Sequence, residues 1–174
     1  MTDSSTRYAN YGSRAVAYLI DVLILWGVAI AGGVIGFAML FSDVSRPIGI
    51  ILLVASIIWI PAGAIWNYII RQGSTGQTVG KSRVSIRLVR VDTGRPIGAG
   101  LAIIRVLAGW LFNTLTGGIF LIVDLLFPAF DKRRQRVIDK MLNTVVVDAS
   151  TPAAPLPTTA RSEALPPPPS DPFA

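Results

Sequence analysis

Cysteine and histidine are both absent from the 174 residues of this chain. Without cysteine there can be no disulfide framework and no thiolate nucleophile. The two absences together also remove the usual ligands of zinc and haem. A metal would have to be held by the ten acidic residues, most of which are scattered in loops. We therefore expect no metal site, no cofactor and no enzymatic activity.

Charged residues are scarce, at 15% of the chain, whereas soluble domains contain about 25%. Hydrophobic residues make up 52% and the mean hydropathy is +0.57, so much of the surface is expected to face lipid. The net charge of +6 and the pI of about 10.3 would also suit a nucleic-acid-binding protein, but no soluble-domain motif accompanies them. We interpret the basic residues as loop charges that orient a membrane protein, with the lipid bilayer as partner and no nucleic acid.

Two apolar runs, at about 15–41 and 48–70, exceed the twenty or so residues that a helix needs to cross a bilayer. The first is too long for a signal peptide. Segment 71–100 carries six basic residues, whereas the break at 42–47 carries one. Because Lys and Arg collect in cytoplasmic loops, the polar amino terminus (1–13) and the 71–100 loop are predicted to be cytoplasmic. The sequence thus predicts a multi-pass protein of a bacterial inner (plasma) membrane.

A third apolar segment, at about 101–130, is interrupted near its middle by Gly117 and Gly118. A single crossing would place the basic residues of 131–148 outside, against the charge rule. We favour a short helical hairpin that enters and leaves on the cytoplasmic side, with a single tilted span as the alternative. The fold class is therefore an all-α polytopic membrane protein with two transmembrane helices plus this third segment.

A small cytoplasmic β-element is predicted beside the helices. Apolar and polar residues alternate along Val84–Val91, and Thr144–Val147 is also rich in β-branched residues. Neither run can bury an apolar face alone, so we predict that they pair in one sheet. Residues 149–174 hold eight of the twelve prolines and are predicted to be disordered, which leaves 14–148 as the membrane domain.

Four charged residues fall at similar predicted depths within the apolar segments: Arg14, Asp21, Arg105 and Asp124. A charge in the bilayer costs at least about 3 kcal/mol, so such residues usually face partners or water. Arg14 lies two helical turns before Asp21 on the same face and could hold it ionised. One hypothesis is an ion or proton site with Asp21 and Asp124 as carriers. The alternative is a structural salt-bridge network.

Two further motifs are ambiguous. Residues 75–82 nearly form a phosphate-binding P-loop, but the first glycine is missing and no strand precedes the motif, which argues against nucleotide binding. Gly32 and Gly36 have the spacing that lets two membrane helices approach closely. Packing inside one chain and dimerisation explain that spacing equally well.

Several short motifs occur in an order that resembles the RDD family of bacterial membrane proteins, named for one arginine and two aspartates. Residues 13–21 resemble the family's opening, and 76–81 resembles its Gly-Gln-Thr-Pro-Gly-Lys loop, with valine replacing proline. Arg105, Asp139 and the run 143–147 are further matches. The resemblance covers about residues 10–148.

The resemblance implies that Arg14 is the family arginine and Asp21 its first aspartate, while the second is Asp139 or Asp124. Some members of the family look like cation/proton antiporters. We therefore favour transport of an ion or small solute by cation/proton exchange through the Arg/Asp site, with a homo-oligomer as a possible assembly. The alternative is a non-transporting membrane scaffold or accessory protein.

Overall fold

The computed structural model describes residues 8–131, 133–152 and 156, and most of them are helical. The elements in chain order are α1 (Tyr11–Met39), α2 (Arg46–Ala64), α3 (Gln72–Thr75), α4 (Val79–Arg83), β1 (Ile86–Arg90), α5 (Gly98–Leu115), α6 (Ile119–Leu126), α7 (Val137–Met141) and β2 (Thr144–Asp148). A π-helical turn, Ile65–Arg71, joins α2 to α3, and a 3-10 turn, Phe127–Ala129, ends α6. Of the tail predicted to be disordered (149–174), only 149–152 and 156 lie within the described residues. There the prediction is wrong, because the N–H groups of Ala149 and Leu156 donate to Ser85 and Val91.

Three helical stretches in the described residues are long and apolar enough to cross a membrane: Tyr11–Met39, Arg46–Thr75 and Gly98–Leu115. Their outward faces carry large apolar side chains with high exposure, which in a soluble protein would promote aggregation. Lipid is the solvent in which such a surface is stable. The chain is therefore a mostly helical, polytopic membrane protein, as the sequence predicted.

Helices α1 and α2 pack closely through small residues. A Cβ atom added to Gly36 would lie 2.8 Å from the carbonyl oxygen of Gly49, and one added to Gly32 would meet the hydroxyl of Ser56. Close backbone approach is the usual role of small residues between membrane helices. The glycine spacing noted in the sequence is thus used for packing within one chain.

Gly36→Ala should lower the free energy of unfolding by about 1–3 kcal/mol, because the atoms that the new methyl group meets include α2 backbone. Gly33→Ala is the matched control, since a Cβ there has no neighbour within 4 Å. Both variants gain the same helix propensity, because alanine replaces glycine in each. The difference between their thermal unfolding in detergent therefore reports the steric effect alone. Equal stability of the two variants would contradict the close approach.

The third apolar segment forms a helical hairpin. The chain turns at residues 116–118, where Gly117 and Gly118 have φ of +60° and +94°. The rings of Phe112 and Phe120 then lie 5.1 Å apart, whereas eight residues of continuous helix would separate them by about 12 Å. The segment is therefore not one continuous helix, and the reversal predicted at this glycine pair is present. The first arm has 18 residues and is long enough to cross a membrane, so the hairpin is not as short as predicted.

The two β-prone runs pair as predicted. Strands β1 and β2 are antiparallel, with Leu88 opposite Val146. Leu88 and Ile86 are buried in a cluster that includes Ala17 of α1 and Ala102 of α5. The sheet therefore covers the ends of these two helices, and we refer to this end of the helices as the sheet end.

The predicted boundaries around segment 71–100 need correction. The second apolar helix does not end at residue 70 but continues to Thr75, and α4 lies where no helix was predicted. Thr78 caps α4 by accepting a hydrogen bond from the backbone N–H of Lys81 at 3.1 Å. The first helix also begins earlier than residue 15, because Asn10 caps it through the N–H of Ser13.

Candidate functional site

A cavity of about 530 Å³ lies at the sheet end, between α1, α4, the α5–α6 hairpin and α7. All five charged residues singled out in the sequence line it: Arg14, Asp21, Arg105, Asp124 and Asp139. They come from four different helices, so the fold brings together residues up to 125 positions apart. Lys81 and Arg136 also line the cavity, and the sequence analysis did not select them.

Asp139 is the centre of an ion-pair network. Its carboxylate is fully buried and contacts both Arg105 and Arg14, the latter at 3.6 Å from Nη1 to Oδ2. The backbone N–H of Arg136 donates to the same Oδ2 at 3.0 Å. Arg14 also donates through Nη2 to the carbonyl oxygen of Val146 at 3.1 Å. The network thus ties α1 and α5 to α7 and the sheet.

Opposing effects act on the pKa of Asp139. Burial alone would raise it, but the positive charges of Arg105, Arg136 and Arg14 and the Arg136 N–H hydrogen bond outweigh burial. The pKa therefore lies below its usual range. Asp139 is accordingly ionised at neutral pH and serves as the counter-charge of Arg14, which is buried, and of Arg105, which is 12% exposed.

Asp21 has a different environment. Its Oδ1 atom accepts hydrogen bonds from the side-chain amide of Asn67 at 2.9 Å and from the backbone N–H of Gly80 at 2.8 Å. Among the described residues no cation lies within 4 Å of this carboxylate, and no hydrogen bond to its Oδ2 is formed. The prediction that Arg14 pairs with Asp21 is therefore wrong, because Arg14 contacts Asp139.

Asp124 links the hairpin to the segment that follows it. Its Oδ1 accepts a hydrogen bond from the backbone N–H of Ile138 at 3.2 Å, and its Oδ2 lies 3.8 Å from Nη1 of Arg136. Asp124 therefore has a cationic group within 4 Å, whereas Asp21 has none at that distance in the described part of the chain. Of the two residues interpreted as carriers, Asp21 is the one whose Oδ2 has no hydrogen bond or ion pair among the described residues.

Lys81 is one of two charged cavity residues, with Arg136, that were not predicted from the sequence, although it belongs to the Gly-Gln-Thr-Val-Gly-Lys motif. Its ammonium group donates to Oε1 of Gln72 at 2.8 Å, and within the described part of the chain it forms no ion pair. Burial, with smaller contributions from Arg105 and Arg136, lowers the pKa of Lys81 to about 7. The P-loop-like stretch is thus folded against α1, with Gly80 bonded to Asp21.

A family model matches most of this chain. The RDD family matches residues 8–143, which is most of the chain. The chain belongs to the RDD family. Arg14, which the sequence resemblance takes as the family arginine, contacts Asp139 at 3.6 Å. Asp124, the alternative for the family's second aspartate, instead lies near Arg136.

The curated relatives are mycobacterial proteins. The proline-rich antigen of Mycobacterium leprae is 35% identical over 103 residues, which cover 58% of this chain and 39% of the relative. The proline-rich antigen homolog of Mycobacterium tuberculosis is 40% identical over 83 residues, or 48% of this chain and 32% of the relative. The chain therefore spans less than two fifths of these relatives. No solved structure matches it.

The wall of the cavity in this RDD-family chain also contains aromatic and aliphatic residues. Tyr18, Tyr68, Trp110 and Phe120 are among the residues that line it. Near them, the buried Oδ1 of Asn113 has no hydrogen-bond partner among the described residues. In the same residues no group of three or more acidic side chains is placed to bind a metal ion. The cavity thus combines charged groups with a wall suited to an apolar group.

Proposed function

We propose that this chain is a transporter of the bacterial inner membrane that moves an ion or small solute by cation/proton exchange, and is not an enzyme. One observation carries the proposal, namely that Oδ2 of Asp21, in the wall of a cavity, has no hydrogen-bond or ion-pair partner among the described residues. Asp21 lies on a helix long enough to span the bilayer, and its side chain is buried. A carboxylate that is costly to place in a membrane usually has a role there.

The proposal divides the charged residues into two groups. Asp139 and Asp124 have cationic neighbours and connect helices, so they hold the cavity in shape. Asp21 is fixed through Oδ1 by two neutral donors, Asn67 and Gly80, which leaves Oδ2 able to take up a proton or a cation in turn. The ion-site and salt-bridge hypotheses therefore apply to different residues of one cavity.

Asp21→Asn tests the proposal. The amide oxygen of asparagine can still accept from Asn67 and Gly80, so folding should be retained, while the exchangeable negative charge is lost. We expect at least a tenfold loss of cation-coupled proton flux in proteoliposomes, a barrier change of about 1.4 kcal/mol or more. Asp43→Asn is the control, since Asp43 is 91% exposed between α1 and α2. Normal flux per folded Asp21→Asn molecule would refute the carrier role.

The orientation is also proposed. The 71–100 and 131–148 segments, with six and five basic residues, meet at the sheet end, which favours the cytoplasm for that end and for the amino terminus. The absence of cysteine allows single cysteines to be placed at the exposed Ser42 and Ser150. With an impermeant thiol reagent on intact cells, we expect Ser42→Cys alone to be labelled. If Ser150→Cys were labelled instead, the sheet end would face the outside and the proposed orientation would be wrong.

A non-transporting scaffold is the second candidate. The observation in its favour is the ion-pair network at Asp139, which accounts for several charged residues without transport. The relatives are named for proline-rich sequence, and residues 149–174 of this chain hold eight prolines that could dock a partner. Absence of flux from the unmodified chain, over a screen of cations and pH gradients, would favour this candidate.

A further inference from the structure

The size of the cavity bears on what it holds. At about 530 Å³, it lies within the range of roughly 300–1,000 Å³ found for pockets that bind small organic molecules. A proton or a bare cation needs far less space. The cavity therefore has room for an organic solute beside Asp21.

The charges in the cavity wall bear on the chemistry of that solute. Seven charged residues line the cavity, and five of them form ion pairs with one another: Arg14 and Arg105 with Asp139, and Arg136 with Asp124. These five keep one excess positive charge. The remaining two, Asp21 and Lys81, form no ion pair within the described residues. Asp21 has a free oxygen, and the ammonium of Lys81 has donors beyond the one used on Gln72.

These two groups of opposite charge are close together. The backbone N–H of Gly80 donates to Asp21 at 2.8 Å, and Lys81 is the next residue in the chain. Both side chains line the same cavity, with Tyr18, Tyr68, Trp110 and Phe120 also in its wall. A ligand could therefore contact an acid, a base and an aromatic surface together.

We propose that the cavity binds a small zwitterion with an apolar group, of the kind represented by amino acids with apolar side chains. The ammonium of the ligand bonds Oδ2 of Asp21, its carboxylate bonds the ammonium of Lys81, and its side chain packs on the aromatic wall. A bound carboxylate would also favour the charged form of Lys81. The inference rests on the proposed function and names the class of its solute.

Three probes of nearly equal size test this with the full chain in nanodiscs. Phenylalanine carries both charges, phenethylamine lacks the carboxylate, and 3-phenylpropionate lacks the amine. We expect phenylalanine to bind about tenfold or more tightly than either analogue, since each analogue leaves one charged group unpaired. Isothermal titration calorimetry measures the three affinities. Equal affinities, or no binding of any probe, would overturn the inference.

Two variants assign the two ends of the ligand. Asp21→Asn should abolish the advantage of phenylalanine over 3-phenylpropionate, and Lys81→Met its advantage over phenethylamine. Asp43→Asn and Lys140→Met are the matched controls, because neither residue lines the cavity. Affinities for the three probes that do not change in either cavity variant would overturn the inference.

Two further outcomes separate this inference from the proposed function and from a lipid source. Loss of flux in Asp21→Asn without binding of any probe would leave the transport proposal standing and refute the zwitterion. If the probes bind as expected but the unmodified chain carries no flux, the zwitterion site stands and the transport proposal is refuted. Short-chain phosphatidylethanolamine has an ammonium and an anionic phosphate, so it forms a second arm. If it alone binds, with the same variant effects, the site takes a lipid headgroup and the amino-acid ligand is refuted.

Discussion

Asp139→Asn should destabilise the protein by about 3–5 kcal/mol, the range for breaking a buried ion pair by removing one partner. Asp139 is fully buried and is the carboxylate that Arg14 and Arg105 share. The neutral amide leaves both guanidinium groups without their shared counter-charge. Thermal unfolding in detergent measures the loss. Asp92→Asn is the control, since its pair with Arg90 is exposed on both sides and should contribute little to stability.

Acid provides a second measurement of the same carboxylate. Because the pKa of Asp139 is lower in the folded protein than in the unfolded chain, the unfolded chain binds more protons between the two values. The stabilisation is therefore complete above the unfolded pKa of about 3.9 and is lost as the pH falls through the folded pKa. Stability should fall less steeply with acid in Asp139→Asn. An unchanged acid profile, or a variant within about 1 kcal/mol of the unmodified chain, would show that the network contributes little.

The helices and the sheet could be predicted because their causes are local or pairwise. Long apolar runs, a glycine pair at 117–118 and two short β-prone segments each restrict the chain to few structures. The ends of the helices were less predictable, since they depend on caps such as Asn10 and Thr78. The π-helical turn at Ile65–Arg71 has no signal that we can identify in the sequence.

The cavity shows where sequence reasoning stops. Helical spacing correctly put Arg14 and Asp21 near the same face, and both line the cavity. Spacing along one helix could not show that Asp139 would fold back and contact Arg14. It also gave no weight to the neutral donor Asn67, although an asparagine inside an apolar run was a usable signal. Because residues 75–82 were not interpreted as a P-loop, Lys81 was given no role. Its motif instead places it next to Gly80, which bonds Asp21.

Gly80→Ala should be among the most damaging small substitutions in the chain. A Cβ atom at Gly80 would overlap the backbone carbonyl of Ala17 and would lie 3.0 Å from the carboxyl carbon of Asp21. Because the overlap is with backbone, α4 must move away from α1, and the hydrogen bond from Gly80 to Asp21 must lengthen or break. Overpacking and the loss of a bond to a charged acceptor together suggest a cost of about 3 kcal/mol or more.

Stability and flux measured on one purified sample test this substitution. Gly100→Ala is the matched control, since a Cβ there has no neighbour within 4 Å. We expect Gly80→Ala to lose both stability and cation-coupled flux, because the contact that excludes the methyl group also fixes Oδ1 of Asp21. If the variant folds with normal stability but loses flux, the position of Asp21 matters more for transport than for folding. A Gly80→Ala protein as stable and active as Gly100→Ala would refute the close packing of α4 on α1, and with it the geometry proposed for Asp21 and Lys81.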